Sequence, residues 1–440
     1  MNETQKNKEE KVKKANLLLA LLAVVLVLSL AISVASAAPS AQEELTYTVK
    51  LGDNLWTLAE KYLGSGPLYW AVVYDTNIAG FTDKTFKTIY NPSLIHPGQK
   101  LAIPNAERAA ELLSPPPAGE LGSKERPVQV YFVPSAEVDS IVTGGEVMRQ
   151  ALTKITGLEF EVFVPTSYAA AIEGMCASPG DTMGFPATLA YVVANARCGV
   201  DTSMISIRYG WDIYWAQYLV RRDSDIHTLQ DLNGKRWGYT DATSTSGHVV
   251  PMIELAAAGV KVAEKVATGG HPQAVLAVYN GEVDFATTYY SAPLMPKGQP
   301  AWKPGDDPEP FANIVDECGV TEDGSKLMYG DYRILDARSS SGVRSIAPDV
   351  VQKVRILTLS RSIPNDCLAF GPDFPLELRV RIESALMGMR GTDAWEASLG
   401  DFYSWDDMRP ATDADYDIVR EIIEGAGYSM DDIVGFLEEE

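Results

Sequence analysis

Arg236-Trp237-Gly238-Tyr239-Thr240-Asp241-Ala242-Thr243-Ser244-Thr245-Ser246-Gly247 reads as a strand that runs into a hydroxyl-rich turn. From His248 onward (HVVPMIELAAAG) the apolar residues take up the spacing of an amphipathic helix. Strand, polar turn and helix in that order mark the carboxyl end of a strand in an α/β sheet, where ligands bind. Consecutive small hydroxyl residues at a helix start place several O–H and N–H donors around one point. The positive end of the helix dipole adds to them, so an oxyanion is a natural guest. The same Ser and Thr would also serve as plain N-caps.

Two further segments bear on that choice. Thr268-Gly269-Gly270-His271-Pro272-Gln273 leads a Gly pair into a helix that starts with His271, followed by the strand-like Val283-Asp284-Phe285-Ala286. Arg361-Ser362-Ile363-Pro364-Asn365-Asp366 is the other. With Asp231-Leu232-Asn233-Gly234-Lys235 and Pro165-Thr166-Ser167-Tyr168 upstream, these segments resemble the phosphate, phosphite and phosphonate substrate-binding proteins of ABC importers (PhnD-like). The resemblance runs over residues 127–400. It implies a two-lobed type II periplasmic-binding-protein fold closing on a small phosphorus oxyanion. Lobe one is expected over 127–217 and 367–440, lobe two over 221–360, with crossings near Tyr218–Val220 and Asn365–Phe370.

The resemblance also assigns residues. Ser244, Thr245 and Ser246 match the phosphoryl-binding run, His271 a histidine that donates to the same oxygens, and Tyr168 a pocket tyrosine. Phe185 falls where the family often carries a tyrosine, which would remove a hydroxyl. Asp366 matches an acidic pocket residue or else caps its own turn. Where aminophosphonate binders hold the ligand's amine with a carboxylate, this chain reads Thr288-Tyr289-Tyr290-Ser291. Tyr289 is the candidate ligand contact there. Losing that carboxylate removes a contact of roughly 1.5–3 kcal/mol for an ammonium, which favours phosphate, phosphite or an alkylphosphonate. His271 at a helix start resists protonation and is expected to donate as a neutral ring. From Pro127 onward, strands alternate with helices, as in parallel sheets covered on both faces (α/β).

Residues 45–104 carry a second pattern: Tyr47-Thr48-Val49-Lys50, Gly52-Asp53-Asn54-Leu55-Trp56, Asn77, and Pro97-Gly98-Gln99-Lys100-Leu101-Ala102-Ile103-Pro104. They resemble a LysM domain, a small βααβ unit, with a lengthened stretch at Phe81–Tyr90. The resemblance implies binding of N-acetylglucosamine-containing glycan such as peptidoglycan, in a groove formed by Gly52, Asp53, Asn54, Leu94 and Ile95. Trp56 and Leu101 are expected in its core. Residues 105–126, with Ser114-Pro115-Pro116-Pro117 at their centre, read as a semi-rigid polyproline linker.

The first residues set the compartment. Five Lys among residues 1–14 precede an uncharged, mostly apolar run from Leu17 to Ser36, followed by the small-residue pattern Ala35-Ser36-Ala37. Such a run can span about 30 Å of bilayer, so residues 1–37 are either a signal peptide or an N-terminal apolar anchor helix. The remainder of the chain is expected to be extracytoplasmic, secreted or membrane-anchored, and associated with the cell wall. Disulfides can form there. Of three connectivities open to four Cys, Cys176–Cys198 and Cys318–Cys367 are favoured, because each pair lies within one stretch of the chain.

Composition narrows the function. Lys and Arg number 37 against 59 Asp and Glu, a formal charge of -22, so no basic face is available for nucleic acid. Only 4 His and 4 Cys are present, with no H-x-x-x-H, P-loop or G-x-S-x-G. No catalytic residue, metal or cofactor is therefore expected. The expected function is solute capture for a membrane ABC permease. Alternatives are a ligand-sensing subunit for a membrane receptor and a LysM-targeted wall hydrolase, which would be an enzyme.

Overall fold

The computed structural model describes residues 45–433 apart from 135–137, 243, 313–317, 426 and 431. In the N-terminal module, β1 (Leu45–Thr48) turns through Gly52 into α1 (Leu55–Leu63) and α2 (Tyr69–Thr82), and β2 (Lys100–Ile103) returns antiparallel to β1. Asn54 starts α1 by accepting from the Thr57 N–H at 2.9 Å, and Gly64 ends it with φ 77°. Seven successive residues of α2, Ala71 to Asn77, are buried. A helix covered on every side needs neighbours beyond its own module.

Those neighbours lie in lobe one. After α3 (Ala106–Leu113), whose Ala109 and Leu112 complete the module's core, the chain passes Leu121, already in the core of lobe one. Residues 105–126, expected as a semi-rigid linker, are packed at both ends as a strap. The prolines still set an extended path, but both ends are held by apolar burial.

Lobe one continues with β3 (Val128–Phe132), α4 (Val138–Thr156), β4 (Phe160–Phe163), α5 (Tyr168–Ala177), β5 (Thr182–Phe185), α6 (Thr188–Cys198) and β6 (Asp201–Ile207). The chain then crosses, and lobe two is built from β7 (Ile213–Arg221), β8 (Arg236–Tyr239), α7 (Val250–Ala257), β9 (Glu264–Ala267), α8 (His271–Asn280) and β10 (Phe285–Tyr290). A small antiparallel sheet comes next, β11 (Cys318–Val320), β12 (Leu327–Tyr329) and β13 (Tyr332–Ile334). The strand β14 (Val354–Pro364) returns to lobe two, and β15 (Cys367–Phe370), α9 (Leu376–Met389), β16 (Asp407–Pro410) and α10 (Asp417–Gly425) complete lobe one. The lobe-one sheet has the order β16-β6-β15-β5-β3-β4 and the lobe-two sheet β14-β7-β10-β8-β9.

Two findings correct the sequence reading. The sheets are mixed: β4-β3-β5 and β9-β8-β10 are parallel, but β7 and β15, the strands next to the crossings, pair antiparallel. The first crossing falls at residues 208–212, ahead of Tyr218–Val220, because all of β7 is registered in the lobe-two sheet. The second falls at Asn365–Asp366, between β14 and β15.

Cys176 and Cys198 are bonded, with Cα atoms 5.6 Å apart. Cys318 and Cys367 are free thiols, which overturns the second expected disulfide. Cys367 lies in a central strand of lobe one and Cys318 in the small sheet of lobe two, so they belong to different cores. The apolar run Leu17–Ser36 lies outside the described residues, and among those described no helix is long and apolar enough to cross a membrane.

Candidate ligand-binding site

The carboxyl ends of the parallel strands in each sheet face one another across the crossings. On the lobe-two side, Ser244 caps a wide turn: its Oγ accepts from the Gly247 N–H at 3.1 Å, and its carbonyl accepts from the N–H groups of both His248 and Val249 at 3.0 Å. The turn is fastened from below, where Trp237 Nε1 donates to Thr287 Oγ1 (2.9 Å) and Thr287 Oγ1 donates to the Gly247 carbonyl (2.6 Å). Ser244, Thr245 and Ser246 are all buried.

On the lobe-one side, α6 begins at Thr188. The Leu189 N–H donates to Thr245 Oγ1 at 3.0 Å, and Thr188 Oγ1 donates to the Pro364 carbonyl at 2.5 Å. The Tyr214 hydroxyl lies close to those of Thr188 and Ser246, which favour its ionised form, but burial, then the charge of Asp366, outweighs them and pushes its pKa up to about 12. Hydroxyls from α6, β7 and the turn after β8 therefore converge where two helix starts meet. This is a donor-rich, water-poor point suited to an oxyanion.

His271 opens α8, after the strand β9 that pairs parallel to β8. Its Nδ1 accepts from the Tyr289 N–H at 3.3 Å, which leaves the ring proton on Nε2 as a donor. The Tyr289 ring meets it edge-on at 4.9 Å. Burial lowers the His271 pKa to about 4, so the ring is neutral at physiological pH.

His248 is a second neutral histidine that the turn requires. Its Nδ1 lies 2.7 Å from the Ala242 carbonyl, and its ring packs on Trp237 and Tyr239 at 5.3 and 4.5 Å. Its pKa falls to about 4, chiefly through burial, with Lys265 lowering it and Asp241 and the Ala242 carbonyl opposing.

The two histidines set a pH dependence. The unfolded chain takes up protons near pH 6.5 that the folded chain refuses until about pH 4. Stability from these sites is full above pH 6.5 and is lost as pH falls toward 4. Thermal melts between about pH 7 and pH 5 are expected to show a shallower decline for His248→Gln and His271→Gln than for the native chain. An identical decline would contradict the assignment.

The family described as "ABC transporter, phosphonate, periplasmic substrate-binding protein" matches residues 130–416. The chain belongs to this family. Its fold is that of a type II periplasmic binding protein, and a LysM domain matches residues 47–104. Among related proteins, the Phosphate-import protein PhnD of Mycolicibacterium smegmatis is 30% identical over 171 residues, covering 36% of this chain and 53% of that protein. The Phosphonates-binding periplasmic protein of Escherichia coli K12 is 27% identical over 194 residues, covering 42% and 56%. The chain thus spans about half the length of the curated relatives it matches. A binding-protein component of an ABC phosphonate transporter from Pseudomonas aeruginosa superposes with a TM-score of 0.50 at 17% identity, over 68% of this chain and 86% of that one.

Within this family member, the structure brings Ser244, Thr245 and Ser246 together at the lobe junction and pairs His271 with Tyr289. Tyr168 opens α5 at the carboxyl edge of the lobe-one sheet, where Ser167 caps the helix by accepting from the Ala170 N–H. Phe185 is placed elsewhere: it is fully buried in the lobe-one core, stacked on Phe132 at 4.9 Å and edge-on to Trp405 at 5.4 Å. Asp366 does not cap its own turn through its side chain. Its carboxylate is held by the guanidinium of Arg208. Arg208, Tyr214 and Thr188 were missed by the sequence reading, since none lies in a motif and the partner of Arg208 is 158 residues away.

In the LysM domain, Gly52 takes φ 90°, while Asp53 accepts from the Lys50 N–H and the Tyr47 hydroxyl, both at 2.7 Å. Those bonds hold its carboxyl below the usual range. Asp53 and Asn54 therefore shape the loop with their side chains and leave backbone groups to face outward. Leu94 is exposed and Ile95 packs against the domain core. Leu101 is core as expected, but Trp56 is half exposed, lying over Gly66 and 6.4 Å from Tyr69. Among the described residues no cluster of His, Cys, Asp and Glu is placed to hold a metal ion.

Proposed function

We propose that this chain is an exported, wall-associated solute-binding protein that captures a small phosphorus oxyanion (phosphate, phosphite or an alkylphosphonate) for an ABC permease. The observation that carries the reading is the burial of Ser244, Thr245 and Ser246 with Tyr214 at the lobe junction, with the neutral His271 opening the helix one strand along. Neutral hydroxyl, imidazole and amide donors in a desolvated cleft bind an anion without adding a cation that a bare chloride or carboxylate would also find. The strongly acidic surface does not prevent this, because charges beyond about 8 Å are largely screened at physiological salt. Binding contacts from both lobes select the closed form.

The LysM domain, with its open Gly52–Asn54 loop, supports attachment to N-acetylglucosamine-containing glycan. Calorimetric titration of the ligand-stripped full chain against phosphate, phosphite, methylphosphonate and 2-aminoethylphosphonate tests the solute. One-to-one binding of an oxyanion lacking an amine is expected. Silence across the panel would overturn the reading. Sedimentation with purified peptidoglycan tests the attachment.

A further inference from the structure

Arg208 and Asp366 lie on the two segments that connect the lobes. Asp366 is 4% exposed, and a carboxylate buried this deep needs a hydrogen-bonding partner. Arg208 supplies it through Nη2, while its Nε donates to the Tyr403 carbonyl at 2.8 Å. The guanidinium is thereby fixed from two sides, with its side chain still one-fifth exposed. The pair is also near the hydroxyl cluster. Thr188 Oγ1 donates to the Pro364 carbonyl, two residues before Asp366, at 2.5 Å, and both charges act on Tyr214 beside it.

We propose, building on the oxyanion reading above, that Arg208 is a specificity residue of the cleft. By occupying Asp366 it removes the anionic site that a ligand ammonium would need, and it cancels the negative field that a bare Asp366 would set against an oxyanion. The two effects point the same way. A phosphorus oxyanion with an apolar or no substituent is accepted, and one that carries an ammonium meets a carboxylate already taken. The alternative role, a brace that only ties the crossings together, needs the bond but has no preference between ligands. Bonds from Asn365 already brace that junction, with Nδ2 donating to the Ser206 and Trp211 carbonyls at 3.1 and 2.8 Å.

The test uses the full chain and two ligands, methylphosphonate and 2-aminoethylphosphonate, titrated by calorimetry. Arg208→Gln keeps a donor for Asp366 but removes the charge. Its affinity for methylphosphonate is expected to fall by about tenfold or more, and the affinity ratio to move toward the ammonium-bearing ligand by about tenfold or more. Arg208→Lys, which keeps the charge, is expected to retain the native preference. An equal loss for both ligands, or an unchanged ratio, would overturn the proposal while leaving the oxyanion reading in place. A native chain that binds neither ligand would overturn both.

If Arg208→Gln does not fold, Asp366→Asn supplies the second arm. Unpaired, Arg208 should then tighten methylphosphonate binding by a few fold, and weakened binding would count against the proposal.

Discussion

Gly247→Ala is expected to abolish solute binding and to destabilise lobe two. The new Cβ would overlap Thr240 Oγ1 and would stand 2.8 Å from both Thr240 Cβ and Ser244 Oγ. Real Cβ atoms do not tolerate such contacts, and neither rotation of Thr240 nor of Ser244 relieves all of them. The turn must open, and with it go the bond from Gly247 N–H to Ser244 Oγ and the placement of Thr245 and Ser246. Overpacking of this kind costs about 1–3 kcal/mol in stability. Two charge-assisted hydrogen bonds lost from the bound oxyanion, at about 1.5–3 kcal/mol each, correspond to at least about a hundredfold in Kd.

Melting temperature and calorimetric affinity should be read on the same preparation. Thr240→Ala added to Gly247→Ala removes the nearest obstructing atom and should restore part of both. Native affinity in the single variant would mean that the Ser244–Ser246 turn does not hold the solute.

That turn was legible from sequence because its chemistry is local. A strand, a run of hydroxyl residues and a helix in close succession dictate the donor cluster, and Gly269-Gly270-His271 repeats the arrangement one strand along. The Cys176–Cys198 bond was legible for the same reason, with a separation of only 22 residues. What escaped is long-range. The partner that neutralises Asp366 could not be read from Asp366, and the pairing of Cys318 with Cys367 ignored that the chain crosses between lobes at Asn365. Phe185 shows a subtler limit: the resemblance assigned it to the pocket, but every residue of its strand is buried and Phe185 takes the core side. Trp56, read as core, sits on the outer face of α1, because the small Gly66 lets the indole lie flat on the surface.

The largest long-range surprise is the docking of the LysM domain, and its removal carries the second large expected effect. Asn77 on α2 donates to Ser384 Oγ on α9 at 2.9 Å, while its own Oδ1 accepts from the Ile89 N–H at 2.7 Å. Trp70 packs against Gly388, where any Cβ would overlap its ring. Arg390 donates to the Tyr90 carbonyl at 3.1 Å, and Arg108 pairs with Glu377. Arg381, buried on α9, donates to the carbonyls of Ser114 and Thr156 and so ties strap, α4 and α9 together.

Deleting residues 45–104 would uncover this face. The lost apolar burial and buried hydrogen bonds are worth at least about 2–3 kcal/mol, so the melting temperature of the remaining domain should fall by roughly 5 °C or more. The full chain should melt with lobe one and the LysM domain in one transition. Gly388→Val, which wedges the interface without shortening the chain, should split that transition. A truncated domain as stable as the whole, or two independent transitions in the native chain, would return the proline strap to the role of a loose spacer. A docked LysM domain has a mechanical consequence. Glycan bound at the Gly52–Asn54 loop would hold lobe one, so closure on the solute would be carried by lobe two swinging about residues 208–212 and 365–366.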